Sequence, residues 1–150
     1  MSPPIEFELD ELYRDLILDH YRQPRNYRTL AHPTCGSEGE NPLCGDQVSV
    51  QVRVEHGRIA DIGFGGRGCS ISQASSSMMT ECVKDKTVAD ARALIAQFKA
   101  MMLEGAAPAE ALGDVEALQG VRKFPVRVKC ASLSWNVLEQ LLSSANGGGA

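Results

Sequence analysis

The sequence predicts an α+β fold in which a small antiparallel sheet of about three strands packs against several helices. Two observations carry the prediction. Val48, Val50, Val52 and Val54 alternate with Gln47, Ser49, Gln51 and Arg53, then comes His56-Gly57, then a second extended run to Gly66. A period of two folded back at a glycine is a hairpin. On both sides of it, apolar residues recur at helical spacing, which predicts amphipathic helices covering one face of the sheet.

The chain of 150 residues suits one domain with its own core, here residues 1–142 followed by a disordered tail over 143–150. It is 43% hydrophobic and 23% charged, an ordinary folded composition. A net charge of -4 and 5% aromatic residues argue against a nucleic-acid binder, which wants a basic surface and stacking rings. No run approaches the roughly 18 apolar residues of a membrane span. Residues 1–10 lack the basic segment and apolar stretch of a secretory signal. The expectation is a cytoplasmic protein, with no membrane partner, whose five cysteines stay reduced and act as ligands, nucleophiles or core residues.

The elements follow in order. A helix is predicted over Glu8 to Tyr21, with Leu9, Leu12, Tyr13, Leu16, Ile17 and Tyr21 on its apolar face and Pro24 as its stop. His20, near its end, reads as structural. Arg22 to Leu43, holding His32 and Cys35, reads as irregular. The hairpin runs from Gly45 to Gly66, with Ala60, Ile62 and Phe64 on one face of the return strand. Gly65, Gly66 and Gly68 form a tight turn that presents Cys69, and Ser70 with Gln73 has capping-box spacing for a helix. Cys82 falls on that helix's apolar face and reads as core. Thr87 and Asp90 open the next helix, which Gly105 stops. Gly105 to Val121 reads as a surface insertion with one helical turn or two, Lys123 to Lys129 as extended around Pro125, and Ala131 to Leu142 as the last helix.

The chemistry lies in four residues. Cys44 and Asp46 flank Gly45 at the start of the hairpin and share a face if that glycine is extended. Cys69 and Cys130 each precede a helix in this reading, where unpaired N–H groups and the positive end of the dipole favour a thiolate. Arg67, Arg127 and Lys129 stand close by in sequence and would offset a site that is formally about minus two with zinc. Structural zinc sites commonly use closely paired cysteines and histidines. Here the ligands are scattered and one is a carboxylate, which suits exchange. Spacing alone leaves a structural zinc and a functional site equally open.

Three segments then carry a resemblance: Asn41-Pro-Leu-Cys-Gly-Asp46, Gly65-Gly-Arg-Gly-Cys-Ser-Ile-Ser72 and Arg127-Val-Lys-Cys-Ala-Ser-Leu-Ser-Trp135. With the opening Leu12-Tyr-Arg-Asp-Leu-Ile-Leu-Asp-His-Tyr21, they resemble the NifU/IscU family of iron–sulfur assembly proteins, over about residues 9 to 142. The resemblance implies the family's α+β fold. Two departures point to the SufU branch: Lys129 stands where IscU-type scaffolds carry histidine, and 105–121 looks like that branch's insertion. Membership there implies zinc on Cys44, Asp46, Cys69 and Cys130, and sulfur taken from a SufS-type cysteine desulfurase. Cys44 is then the expected acceptor, Cys130 the alternative, and Arg127 a docking or charge-neutralising residue. Downstream partners would be a further scaffold or apo-proteins. Two alternatives remain: an IscU-like scaffold building a transient [2Fe-2S] cluster on Cys44, Cys69 and Cys130, and a zinc-stabilised interaction module.

Overall fold

A computed structural model describes residues 11–42 and 45–149, with the side chains of 144–149 excepted. Its elements are helix α1 (Glu11–Arg22), strands β1 (Cys35–Asn41), β2 (Asp46–Glu55) and β3 (Arg58–Arg67), and helices α2 (Ser70–Val83) and α3 (Val88–Glu104). A 3-10 segment (Glu110–Val121) and helix α4 (Pro125–Gly149) complete the chain. The sheet is antiparallel with strand order β1-β2-β3, so the fold class is the predicted one. Among the described residues no helix is long and apolar enough to cross a membrane.

The hairpin turns at His56 and Gly57, both in the left-handed region with φ of 54° and 75°. That pairing matches the twist of the flanking strands. Val48, Val50 and Val52 are buried on one face, as their alternation predicts. On β3 the predicted face slips: Ile59 is buried and Ala60 only half-buried. Arg53 pairs with Asp61 but Val54 with Ile59. The extra residue is a bulge, and it turns the strand end over.

The region expected to be irregular contains a strand. Cys35 to Asn41 pairs with Val52 to Asp46 in an unbroken antiparallel register. Its glycines and glutamates hid it, because this edge strand has polar residues facing water and little apolar alternation. Gly39 is needed here, since a Cβ would press 2.6 Å from Val137 Cγ2 of α4.

Helix α2 is the axis of the molecule. Ile71, Ala74, Met78 and Cys82 are buried as expected, but so are Ser72, Ser75, Ser76, Ser77 and Thr80. Each buried hydroxyl needs a partner. Ser75 Oγ donates to the Ala131 carbonyl (2.6 Å) and accepts from Trp135 Nε1 (3.0 Å), tying α2 to α4. Trp135 stacks on Phe98 of α3 with centroids 4.2 Å apart.

Helix α1 also departs from its predicted face. Leu12 and Tyr21 are exposed, while Ile17 and His20 are buried; residues 8–10 lie outside the described residues. His20 bridges two elements, with Nδ1 2.7 Å from Ser77 Oγ and Nε2 3.1 Å from Asp114 Oδ2. Its role is structural, as read. Asp114 belongs to the 3-10 segment, which is no surface insertion: Leu112, Val115, Leu118 and Val121 are at most 1% exposed. Their spacing of three is the repeat of a 3-10 helix, whose successive third residues eclipse. Helix α3 starts on Thr87, whose side chain accepts from Asp90 N–H, and stops on Gly105 at φ 75°, both as predicted.

Helix α4 begins earlier than the sequence suggests. Pro125 takes its first position, where a missing N–H leaves nothing unmade. The extended reading of 123–129 gave that proline the wrong role. The helix bounds pass the expected domain end at Leu142 and reach Gly149.

Candidate metal centre

The end of the sheet and two helices meet at one point. Asp46 opens β2, opposite Asn41, the last residue of β1. Cys69 follows β3 and Gly68, and caps α2. Cys130 lies on the second turn of α4. One ligand atom from each of Asp46, Cys69 and Cys130 lies within 4.8 Å of the others. Residues 23 and 84 positions apart from Asp46 are thus brought together by the packing of α2 against α4. Leu43 and Cys44 lie outside the described residues. Their neighbours are described: the Gly45 N–H donates to the Asn41 carbonyl (2.8 Å) and Gly45 has φ 72°. Gly45 is therefore left-handed rather than extended, and the same-face argument for Cys44 and Asp46 does not apply.

Asp46 is fully buried. Its Oδ1 accepts the Cys69 backbone N–H at 3.0 Å. Its Oδ2 is buried and has no hydrogen-bond partner among the described residues. A buried anionic oxygen without a donor is costly, and a cation beside it removes that cost. Cys69 is the N-cap of α2, and its Sγ accepts the Ser72 N–H at 3.4 Å. The predicted capping box on Ser70 and Gln73 is displaced by one residue, and the thiol itself takes the capping role. A sulfur so placed faces the positive end of the helix. Cys130 is buried at 1% exposure and sits inside α4. It is past the first turn, so the expected dipole support from its own helix is not available to it.

Two soft thiols and one carboxylate at this spacing suit zinc, and sulfur donors also suit iron. The residues fit a metal, on the evidence of the unpartnered Asp46 oxygen and the donor types around it. Arg127 is half-buried and lines an open groove of about 590 Å³ with Cys69, Phe124, Pro125 and Val126. Arg67 and Lys129 are exposed.

The remaining cysteines stand apart. Cys82 is buried with its thiol 3.6 Å from the Ala111 carbonyl, and burial pushes its pKa up to about 11. Cys35 opens β1, half-buried, and burial raises its thiol as well. His32 is exposed. Sequence reasoning took Gly68 only as part of a turn before Cys69, and it missed Ser72, whose N–H bonds the Cys69 thiol, and Ser75, which ties α2 to α4. Three serines in a row on a helix next to buried methionines were the available signal for Ser75.

Residues 12–131 match the family of NifU-like N-terminal domains. The chain is 44% identical to the zinc-dependent sulfurtransferase SufU of Bacillus subtilis, covering 93% of this chain and 95% of that one. It is 42% identical to the iron–sulfur cluster assembly scaffold protein IscU of Streptococcus pyogenes, over 93% and 88%. Among solved structures, SufU of Fervidobacterium islandicum superposes with a TM-score of 0.82 at 32% identity, covering 91% of this chain and 98% of that one. A NifU-like N-terminal domain from Brucella abortus gives 0.81 at 25% identity, over 89% and 94%.

Proposed function

The chain belongs to the family of NifU-like N-terminal domains, and we propose that it serves iron–sulfur cluster assembly as a zinc-dependent sulfur carrier. In this reading it takes sulfur from the persulfide of a SufS-type cysteine desulfurase. The observation that carries the proposal is the buried Asp46 carboxylate, grouped with two thiols, with one oxygen spent on the Cys69 N–H and the other without a partner among the described residues. Its likeness to the Bacillus subtilis zinc-dependent sulfurtransferase supports the same reading.

Asp46, Cys69 and Cys130 would hold the metal, with Cys44 as fourth ligand by its place in the chain. When bound, zinc would keep its cysteine ligands as thiolates at neutral pH. The protein's own residues do the rest. The α2 N-terminus supports charge on Cys69 through the Ser72 N–H. Burial of Cys130 keeps it out of the exchange, while Cys44 sits in the short connection between β1 and β2. The Cys44 thiolate attacks the outer sulfur of the desulfurase persulfide. A new sulfur–sulfur bond forms on Cys44, the bond within the donor breaks, and the donor cysteine leaves as thiolate. No electron is gained or lost overall. Arg127, in the groove beside Cys69, would receive the approaching partner.

Mass spectrometry after incubation with a desulfurase and cysteine tests the assignment. The expected result is one added sulfur atom on Cys44 and none on Cys44→Ala protein. Sulfur accepted at full rate by Cys44→Ala would move the acceptor role to Cys130.

A second reading has one observation in its favour, the 42% identity to the Streptococcus pyogenes scaffold. The same thiols would then hold a [2Fe-2S] cluster. Visible absorption after anaerobic loading with iron and sulfide would favour this scaffold; a colourless, zinc-retaining protein favours the carrier.

A further inference from the structure

We infer that Gly68 is a positioning residue of the metal centre: its missing side chain leaves the space in which the Asp46 carboxylate accepts the Cys69 N–H and stays grouped with the two thiols. The inference rests on reading the cluster as a metal centre. A Cβ at position 68 would lie 2.6 Å from Asp46 Oδ1, 3.1 Å from its Cγ and 3.0 Å from Ser72 Oγ. Carbon cannot approach oxygen so closely, so one side must move.

Asp46 has little freedom to give way. It is fully buried, has two side-chain torsions, and its backbone is fixed in the β1–β2 ladder opposite Asn41. Its carboxylate could rotate, which breaks the 3.0 Å bond to Cys69 and redirects the unpartnered oxygen. Otherwise the 67–69 backbone retreats and takes Cys69 with it, loosening the thiol cap on Ser72 N–H. Either movement opens the cluster. Gly68 lies outside the left-handed region, so alanine there meets no positive-φ strain. Gly66 differs, with φ 113° and a Cβ that would strike the Gln47 carbonyl. That glycine is demanded by the chain path. Gly68 is demanded by the carboxylate.

The test is zinc affinity, by competition with a chromophoric chelator, and the visible spectrum of the cobalt-loaded protein. Four proteins are compared: wild type, Gly68→Ala, Gly65→Ala, and Gly68→Ala with Ser72→Ala. Gly65→Ala is the control, because its Cβ would meet only Ser49 Oγ at 3.3 Å. Gly68→Ala should bind zinc about tenfold to 100-fold more weakly and show altered cobalt bands, while far-UV circular dichroism of its metal-free form stays that of wild type. Gly65→Ala should bind as wild type does. The double variant, relieved of the serine contact, should stay weak. It decides the matter by the same readouts if Gly68→Ala alone does not fold. Wild-type affinity and spectrum in Gly68→Ala, or recovery in the double variant, would overturn the inference. A wild-type protein that binds neither metal overturns the metal centre itself, and the inference with it.

Discussion

A carboxylate sealed from water with one oxygen unpartnered destabilises a fold until a cation meets it, and Asp46 is in that position. Asp46→Asn keeps the shape and the oxygen facing Cys69 but removes the charge. The metal-free variant should be more stable than metal-free wild type by about 1–3 kcal/mol, read by urea denaturation. Its zinc affinity should fall at least about tenfold. Cys82 supplies a pH signature of a different kind. Its pKa rises from 9.0 to about 11 because burial disfavours the thiolate. The raised value means its contribution to stability is whole below pH 9 and is lost as pH climbs toward 11. Cys82→Ala should therefore lose less stability than wild type between those limits, a difference of roughly 2–3 kcal/mol at most. Asp46, Cys69 and Cys130 were legible in the sequence as donors, since thiols and a carboxylate in cap-like and strand-start positions are unusual choices for packing alone. Gly68 was legible only as part of the turn before Cys69, because its closeness to Asp46 exists only in the folded chain.

At the scale of elements, the 3-10 segment carries a prediction that the sequence reading would have denied. Leu118 is wholly buried, in a segment that packs on α1 and α2. Leu118→Ala should cost about 2–5 kcal/mol in chemical denaturation; a surface insertion would show within about 0.5 kcal/mol of wild type. The sequence allowed the segment only a helical turn or two, because its apolar residues repeat every three positions across Gly113, a φ of 56° breaking the run. A repeat of three does not register as the 3.6-residue period of an α-helix. Helix α3, by contrast, was legible end to end, because Thr87 and Gly105 state its limits chemically. The start of α4 hinged on Pro125, which disfavours helix for the residue before it yet suits a first helical position. That ambiguity moved Cys130 from a helix entrance to a helix interior, and so changed which thiol the dipole can serve. Strand β1 was hidden by composition, an edge strand needing few apolar residues.

The molecule as a whole has one contiguous core running from the sheet through α2 to α3, α4 and the 3-10 segment. A core of that extent does not depend on a metal staple. On the proposed reading, chelation should lower the melting temperature of the zinc-loaded protein, since a metal held by the folded state alone stabilises it, while the metal-free protein keeps its far-UV circular dichroism below the new transition. Complete unfolding on chelation would instead favour the zinc-stabilised interaction module. The fold class was legible because valine alternation and amphipathic helices report burial directly; the role of the centre needed the three cysteine segments taken together. The most direct measurement is turnover of a SufS-type cysteine desulfurase, with cysteine and a reductant, in the presence and absence of the zinc-loaded protein. Turnover should rise when the wild-type protein is added and stay at the basal rate with Cys44→Ala. No gain from the zinc-loaded wild type, at any ratio to the desulfurase, would contradict the account.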